Sequence, residues 1–326
     1  MTLPALEFLD VTKTYHRGTY RRWLGGQEVA ALSQVSFGVA EGEVCAFLGP
    51  NGAGKTTSIS ILMGFLYADR GRIRVLGFAP GDVRAKKRIG FVPENFAFYK
   101  HLDAEKLLRF HARLAGIADG NAARLIPDLI AKVGLSSYGR LKIGRYSRGM
   151  VQRLGIAQSL LGDPELLILD EPTSGLDPSG RKEVRDVILS LKAAGKTIFL
   201  SSHLLSEVEQ VCDQAVIIDR GRVLRAGSMQ ALLETGDQVE IVATTLPEEL
   251  EAVLREWGAT VKRVIAPDVS GHSVSVPSVS IVASGARKRE IVERLWLAGS
   301  DVLRMNPVKG SLEDLYMNLV GKGDAA

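Results

Sequence analysis

The sequence predicts an α/β protein: a mostly parallel sheet covered by helices on both faces, followed by a smaller α+β domain. Three observations predict it. Short, wholly apolar runs such as Leu166-Leu-Ile-Leu169 and Ala215-Val-Ile-Ile218 alternate with helical stretches through the first two-thirds of the chain, as strands buried on both faces require. A complete glycine-rich phosphate-loop pattern, Gly49-Pro-Asn-Gly-Ala-Gly-Lys-Thr56, lies between an apolar run and a helical one. Past Thr235-Gly236 the order of elements becomes βαββαβ, the split arrangement of ferredoxin-like domains.

Composition agrees and narrows the classes. A chain of 326 residues exceeds the usual single domain, and 46% hydrophobic with 24% charged residues excludes disordered and fibrous proteins. Lys and Arg number 41 against 37 Asp and Glu, a net +4 that leaves no strong nucleic-acid footprint. The two cysteines, Cys45 and Cys212, lack metal-ligand spacing, so a reducing compartment fits and a disulfide framework does not. Met1 to Glu7 does not read as a signal peptide. The uncharged run from Val269 to Ala286 approaches membrane-spanning length, yet its Ser and Gly content, His272 and Pro277 make it a strand pair with a turn. Any membrane role is therefore expected to come through a partner.

Taken in chain order, strands are predicted at Phe37–Ala40, Val44–Leu48, Ile73–Leu76, Ile89–Val92, Leu166–Leu169, Thr197–Leu200 and Ala215–Ile218. Ile59, Leu62, Met63 and Leu66 recur at helical spacing and predict a helix over Thr56–Tyr67. Asp103 to Leu161 lacks strand candidates and reads as a helical insertion, and Asp219-Arg-Gly-Arg222 as a hairpin turn. The second domain is read as strand Val239–Ala243, helix Pro247–Trp257, strands Thr260–Ile265 and Ser273–Val282, helix Ala286–Leu297, strand Asp301–Met305 and helix Leu312–Val320. The expected division is 1–235, with a helical subdomain at about 95–161, and 236–326.

The phosphate loop is the strongest chemical signal. Its glycines let backbone N–H groups approach a triphosphate, and the following helix adds its positive end. Lys55 would reach the β- and γ-phosphates and the Thr56 hydroxyl would ligate Mg²⁺. Leu166-Leu-Ile-Leu-Asp-Glu171 ends a buried strand in two carboxylates, Asp170 to organise Mg²⁺ and Glu171 to polarise water. Together the two motifs indicate a nucleoside triphosphatase. Tyr146-Ser-Arg-Gly-Met150 opens a helix with Ser147 as its N-cap. Pro172-Thr-Ser-Gly-Leu-Asp-Pro178 follows the carboxylates directly, and Ser201-Ser-His203 ends the next strand.

With these companions the chain resembles the ATP-binding cassette (ABC) ATPases over roughly residues 5 to 230. The resemblance implies a P-loop NTPase cassette with antiparallel and helical subdomains. It implies ATP and Mg²⁺ as cofactors, held by Gly49, Pro50, Asn51, Gly52, Ala53, Gly54, Lys55, Thr56 and Thr57, with Asp170 on the metal. Ser147 and Gly149 stand in that family's signature motif, Asp177 in its D-loop, and His203 at its switch histidine. Tyr15 stands where an aromatic residue stacks on adenine, and reads equally as an ordinary strand-end aromatic. Arg148 and Met150 replace the family's usual Gly and Gln. Glu94 replaces a loop Gln, able to ligate Mg²⁺ but unable, when ionised, to donate a hydrogen bond to water.

The resemblance further implies a head-to-tail homodimer sandwiching two ATP molecules, each phosphate loop facing the other copy's Ser147–Gly149 segment. Glu171 would be the general base, His203 would hold the γ-phosphate, Glu94 would serve metal or water, and Asp177 would couple the sites. A separate integral-membrane permease is implied, with this chain peripheral on the cytoplasmic face. The accessory tail resembles those of drug-resistance and polysaccharide or lipid exporters. The alternative, a soluble ABC ATPase on nucleic acid or ribosomes, lacks the second cassette or coiled coil usual there, so no nucleic-acid partner is expected. Phe96, Phe98 and Tyr99 either line a groove for a cytoplasmic permease helix or pack in the helical subdomain's own core. His16 to Gly26 reads as an extended loop, in which Arg17, Arg21 and Arg22 either meet lipid or a partner or are simply solvated.

Overall fold

The most apolar runs of the sequence become the centre of a six-stranded sheet. In the computed structural model, which describes residues 4–17, 27–267 and 275–321, β3 (Val44–Leu48), β6 (Leu166–Leu169) and β7 (Thr197–Ser202) are buried along their whole length. They are flanked by β5 (Ile89–Val92), β8 (Gln214–Asp219) and β9 (Arg222–Ser228), giving the order β5-β6-β7-β3-β8-β9. Every neighbouring pair from β5 to β8 is parallel, and only β9 runs antiparallel. Because β7 lies between β6 and β3, the carboxyl ends of all three strands converge, which is where open α/β sheets build their sites.

A second, antiparallel sheet packs against the first. It consists of β1 (Leu6–Arg17), β2 (Gln27–Val39) and β4 (Arg70–Val75) in the order β2-β1-β4. Phe8 and Phe37 stack at 4.4 Å between ring centroids, and Phe37 continues onto Phe47 at 5.3 Å and Phe199 at 6.0 Å. These rings join both sheets into one core with Leu6, Val35, Ile168 and Val216. The thiols of Cys45 and Cys212 are free and buried, and burial pushes the Cys212 thiol up to about 12.

The helices follow their end signals. They are α1 (Lys55–Leu62), α2 (Val83–Lys86), α3 (Ala104–Leu114), α4 (Asp119–Lys132), α5 (Arg148–Ser159), α6 (Pro178–Ala193) and α7 (Leu205–Glu209). Asp103 caps α3 by accepting from the Lys106 amide, and Pro178 opens α6 behind its cap, Asp177. Helices α3, α4 and α5 occupy the predicted helical insertion, with no strand among its described residues.

Three expectations are corrected. The helix predicted over Thr56–Tyr67 ends at Leu62, because Gly64 turns left-handed at φ 71° and Phe65 N–H closes back on Ser60 O at 2.9 Å. The segment from His16 begins as strand rather than loop, since the ladder runs on to Arg17 opposite Gln27; Arg21 and Arg22 lie outside the described residues. The run Val269–Ala286 holds one strand among its described residues, β12 (Ser275–Ser284), paired with a strand that precedes the run; His272 lies outside them.

By its contacts the chain divides into one unit of Met1–Met229 with Tyr316–Ala326 and another of Gln230–Leu315. After α8 (Met229–Leu233) come β10 (Glu234–Ala243), α9 (Glu248–Glu256), β11 (Thr260–Pro267), β12, α10 (Lys288–Leu297), β13 (Val302–Lys309) and α11 (Leu312–Gly321). The strand order β11-β12-β10-β13, antiparallel throughout, is that of a ferredoxin-like sheet. Ile241 and Ile281 of this sheet pack on Leu250 and Leu254 of α9 and on Ile291 and Leu295 of α10. No helix of the described residues is long and apolar enough to cross a membrane.

The Phe199 ring is fully buried between the two sheets of the first unit. Truncation there leaves a void that neither sheet can close, so Phe199→Ala is expected to cost about 3–5 kcal/mol of stability. Urea denaturation followed by far-UV circular dichroism measures it, and a loss under about 1 kcal/mol would refute the shared core.

Candidate nucleotide site

A cleft opens over the loop between β3 and α1. Ala31, Pro50, Asn51, Gly52, Gly54, Lys55, Thr56, Thr57, Glu94, Glu171, Ser174 and His203 line it. The loop can wind this tightly because of its glycines. Gly54 stands at φ 111°, and a Cβ there would come within 2.6 Å of the Ala31 carbonyl. Gly49 is wedged against the Ile218 carbonyl and admits no side chain either. No side chain caps α1, so the N–H groups of its first turn have no intrahelical acceptor and present the helix's positive end to the cleft.

Lys55 is only 6% exposed, so its ammonium must be paired. It donates to the Gly49 carbonyl at 2.6 Å and the Pro50 carbonyl at 3.3 Å, and forms an ion pair with Glu171 Oε1 at 3.2 Å. The other oxygen of that carboxylate, Oε2, is 2.7 Å from His203 Nδ1. Glu171 itself takes φ 48°, a left-handed backbone rare outside glycine. Ser201 Oγ accepts from the Glu171 amide at 2.8 Å and donates to Asp170 Oδ1 at 2.6 Å, tying the two acidic residues to the end of β7.

Asp170 lies buried beneath the cleft, and its carboxyl titrates above the ordinary range. Burial is the main cause; the neighbouring charges of Glu94 and Glu171 add to it, while the Ser201 hydrogen bond and Lys55 oppose it. Three carboxylates therefore surround one ammonium. That excess of hard oxygen donors beside the Thr56 hydroxyl suits a divalent cation sharing its coordination with phosphate oxygens.

Most of the predicted site is thus brought together: the phosphate loop, Glu94, Glu171 and His203 line one cleft, and Asp170 underlies it. Gly49 contributes its carbonyl to Lys55, and Ala53 is buried behind the loop. Tyr15, 41% exposed on β1 opposite Val29, is outside the lining. So are Ser147, Gly149 and Asp177, which form a second locus where α5 and α6 begin. Ser147 Oγ accepts from the Met150 amide at 3.2 Å, and Asp177 Oδ1 from the Gly180 amide at 3.1 Å. A Cβ on Gly149 would come within 3.3 Å of the Gly180 Cα, so the two helix starts pack closely.

Four contributors escape sequence reasoning. Ser201 has a signal in hindsight: it follows Leu200, the partner of Leu169, so its hydroxyl falls level with Asp170. Ala31 and Ser174 also line the cleft, a contact the sequence motifs assign to neither. Arg153, 6% exposed, donates to the Val133 and Gly134 carbonyls at 2.7 and 3.0 Å and pairs with Glu183 at 3.0 Å, fastening α5 to the end of α4 and to α6.

The comparisons agree with this geometry. A family model described as "ABC transporter" matches residues 32–174. An uncharacterised ABC transporter ATP-binding protein of Nostoc sp. is 38% identical over 97% of this chain and 90% of its own length. The Nod factor export ATP-binding protein I of Rhizobium sp. is 36% identical over 89% of this chain and 92% of its own. Among solved structures, an ATP-binding subunit of an ABC transporter superposes with a TM-score of 0.59 at 31% identity, over 70% of this chain and 91% of that one. The P-loop cleft and these likenesses place the chain in the ABC transporter family, as one of its ATP-binding, ATP-hydrolysing subunits.

Proposed function

We propose that the protein powers a separate membrane permease in export, through ATP-driven closing and opening of a homodimer on the cytoplasmic face of the membrane. The observation that carries the hydrolytic part is Glu171, held between Lys55 and His203 in the phosphate-loop cleft. Export is supported by the Nod factor export relative, matched over nearly its whole length. Residues 1–235 form the cassette in this reading, with 95–161 as its helical subdomain, and 236–326 form an accessory domain.

Gly49 to Thr57 bind the triphosphate through backbone N–H groups and the Lys55 ammonium. Thr56, Asp170 and Glu94 would hold Mg²⁺, which when bound offsets charge on the β- and γ-phosphates. A triphosphate that engages Lys55 draws it from Glu171 Oε1 and frees that oxygen to take a proton from the attacking water. His203 steadies the carboxylate and reaches the γ-phosphate. Tyr15 provides a stacking surface for adenine at the cleft's edge. Ser147 and Gly149 of one copy close on the nucleotide of the other, and Asp177 links the two sites.

The permease contacts a groove on the helical side of the sheet. Phe98, Tyr99, Phe110 and His111 line it together with Phe96. Phe96 is also committed to the interior, since a Cβ on Gly155 would meet its ring at 2.6 Å, whereas Tyr99 is 58% exposed. Phe98 and Tyr99 are thus the aromatics available to a cytoplasmic permease helix.

Two outcomes are expected. Glu171→Gln lowers kcat for ATP by about 10²–10⁴-fold, the usual contribution of a general base, while nucleotide affinity persists and a MgATP-bound dimer accumulates. Steady-state phosphate release with equilibrium nucleotide binding measures this, and an unchanged rate removes Glu171 from the base role. Phe98→Ala keeps the ATPase rate of the isolated subunit but lowers recovery of a polytopic membrane protein in pull-downs from solubilised membranes. Loss of folding in that variant would instead assign Phe98 to the subdomain core.

A further inference from the structure

Arg148 and Glu94 are exposed charged side chains that have no partner among the described residues. Arg148 is the first residue of α5 and is exposed. Its guanidinium adds positive charge to the positive end of that helix, an unfavourable placement by itself. Among the described residues it makes no hydrogen bond and no ion pair. It reaches over the turn before α6, because a Cβ on Gly175 would come within 3.2 Å of its Nη1. Glu94 is the mirror case. It is exposed at the cleft wall, likewise without a hydrogen bond or ion pair among the described residues. Its charge acts on the buried Asp170, and Glu171 shares the same cleft lining, so it stands among other carboxylates.

Opposite signs on two such positions are complementary. The sandwich proposed above places the start of α5 from one copy over the cleft of the other, and it places the turn before α6 there as well. A second copy of this chain is therefore an occupant that could relieve both penalties at once. MgATP keeps the demand in place even with Glu94 on the metal, because a triphosphate brings more negative charge to the cleft than one divalent cation offsets. We infer that Arg148 of each copy pairs electrostatically with Glu94 of the other across the nucleotide sandwich, so that each nucleotide site is completed by a cation from its partner. This inference rests on the dimer reading of the same site.

The test is a double-mutant cycle on dimerisation of the full chain carrying Glu171→Gln, with MgATP present, by analytical ultracentrifugation. Both positions are exposed, so neither change reaches the core. Arg148→Gln is expected to weaken the dimer by about tenfold or more, and by less than about threefold when Glu94→Gln is also present. Arg148→Lys, which keeps the charge, retains most of the dimer. An equal loss in both Glu94 backgrounds would overturn the pair and give Arg148 the phosphates as its target. No loss in either would leave Arg148 a solvated side chain. A parent that binds MgATP yet stays monomeric would instead defeat the sandwich reading, and the pair with it.

Discussion

A buried ammonium has to be neutralised, and meeting that demand for Lys55 organises the whole cassette. Its carboxylate partner, Glu171, lies more than a hundred residues further along the chain, at the end of β6. The two meet because the sheet order inserts β7 between β6 and β3, so the strand ends fan toward one point. The same insertion brings Ser201 and His203 to Asp170 and Glu171. The parallel sheet is therefore the device that assembles the chemistry. Its aromatic seam with the antiparallel sheet keeps β3 and β7 in place behind the phosphate loop.

The balance within that cluster explains how a site rich in carboxylate can remain folded and still react. Both oxygens of Glu171 are occupied, one by Lys55 and one by His203, so the carboxylate is held rather than free. Breaking either contact by mutation strands a buried charge. The proposed exchange is different, because a phosphate would take the place of Glu171 beside Lys55, so that the ammonium keeps an anionic partner while Glu171 gains freedom. In that reading substrate binding and activation of the base are one exchange of partners. The left-handed backbone at Glu171 turns this carboxylate toward the cleft while Asp170 stays below it.

How much of this was legible depended on whether the physics was local. Strands buried on both faces announce themselves as apolar runs, and Val44–Leu48, Ile89–Val92 and Leu166–Leu169 were read at their observed bounds. The phosphate loop was legible for the same reason: its glycines serve a local turn. Strand β1 was not, because register shifts near Leu9–Asp10 and Thr12 break the alternation a reader looks for. Helix α1 was overextended because Leu66 keeps helical spacing past Gly64, and periodicity outweighed a single glycine that ends the turn. Tyr15 was marked by likeness alone, and it is not among the residues that line the cleft. Nothing local could show that Ser201 spans Asp170 and Glu171, since that bond depends on strand order.

The second locus follows a different logic, and it shows why helix starts serve as an interface. The N-termini of α5 and α6 lie close together, with Gly149 against Gly180. Two positive helix ends side by side repel. Asp177 offsets this at α6 with a charged cap, whereas Ser147 caps α5 with a neutral hydroxyl and leaves Arg148 exposed next to it. The arrangement is held from behind, where Arg153 pins α5 to two carbonyls at the end of α4 and to Glu183 of α6. A rigid, net-positive edge is thus maintained at the expense of local electrostatics. Such an edge gains most from an anion delivered against it, which in the proposed sandwich a partner's nucleotide and its surrounding carboxylates would supply. The cleft carries the converse imbalance, with more carboxylate than Lys55 can neutralise. Each half is incomplete in charge where the other is in excess, the complementarity on which the proposed association through nucleotide would draw.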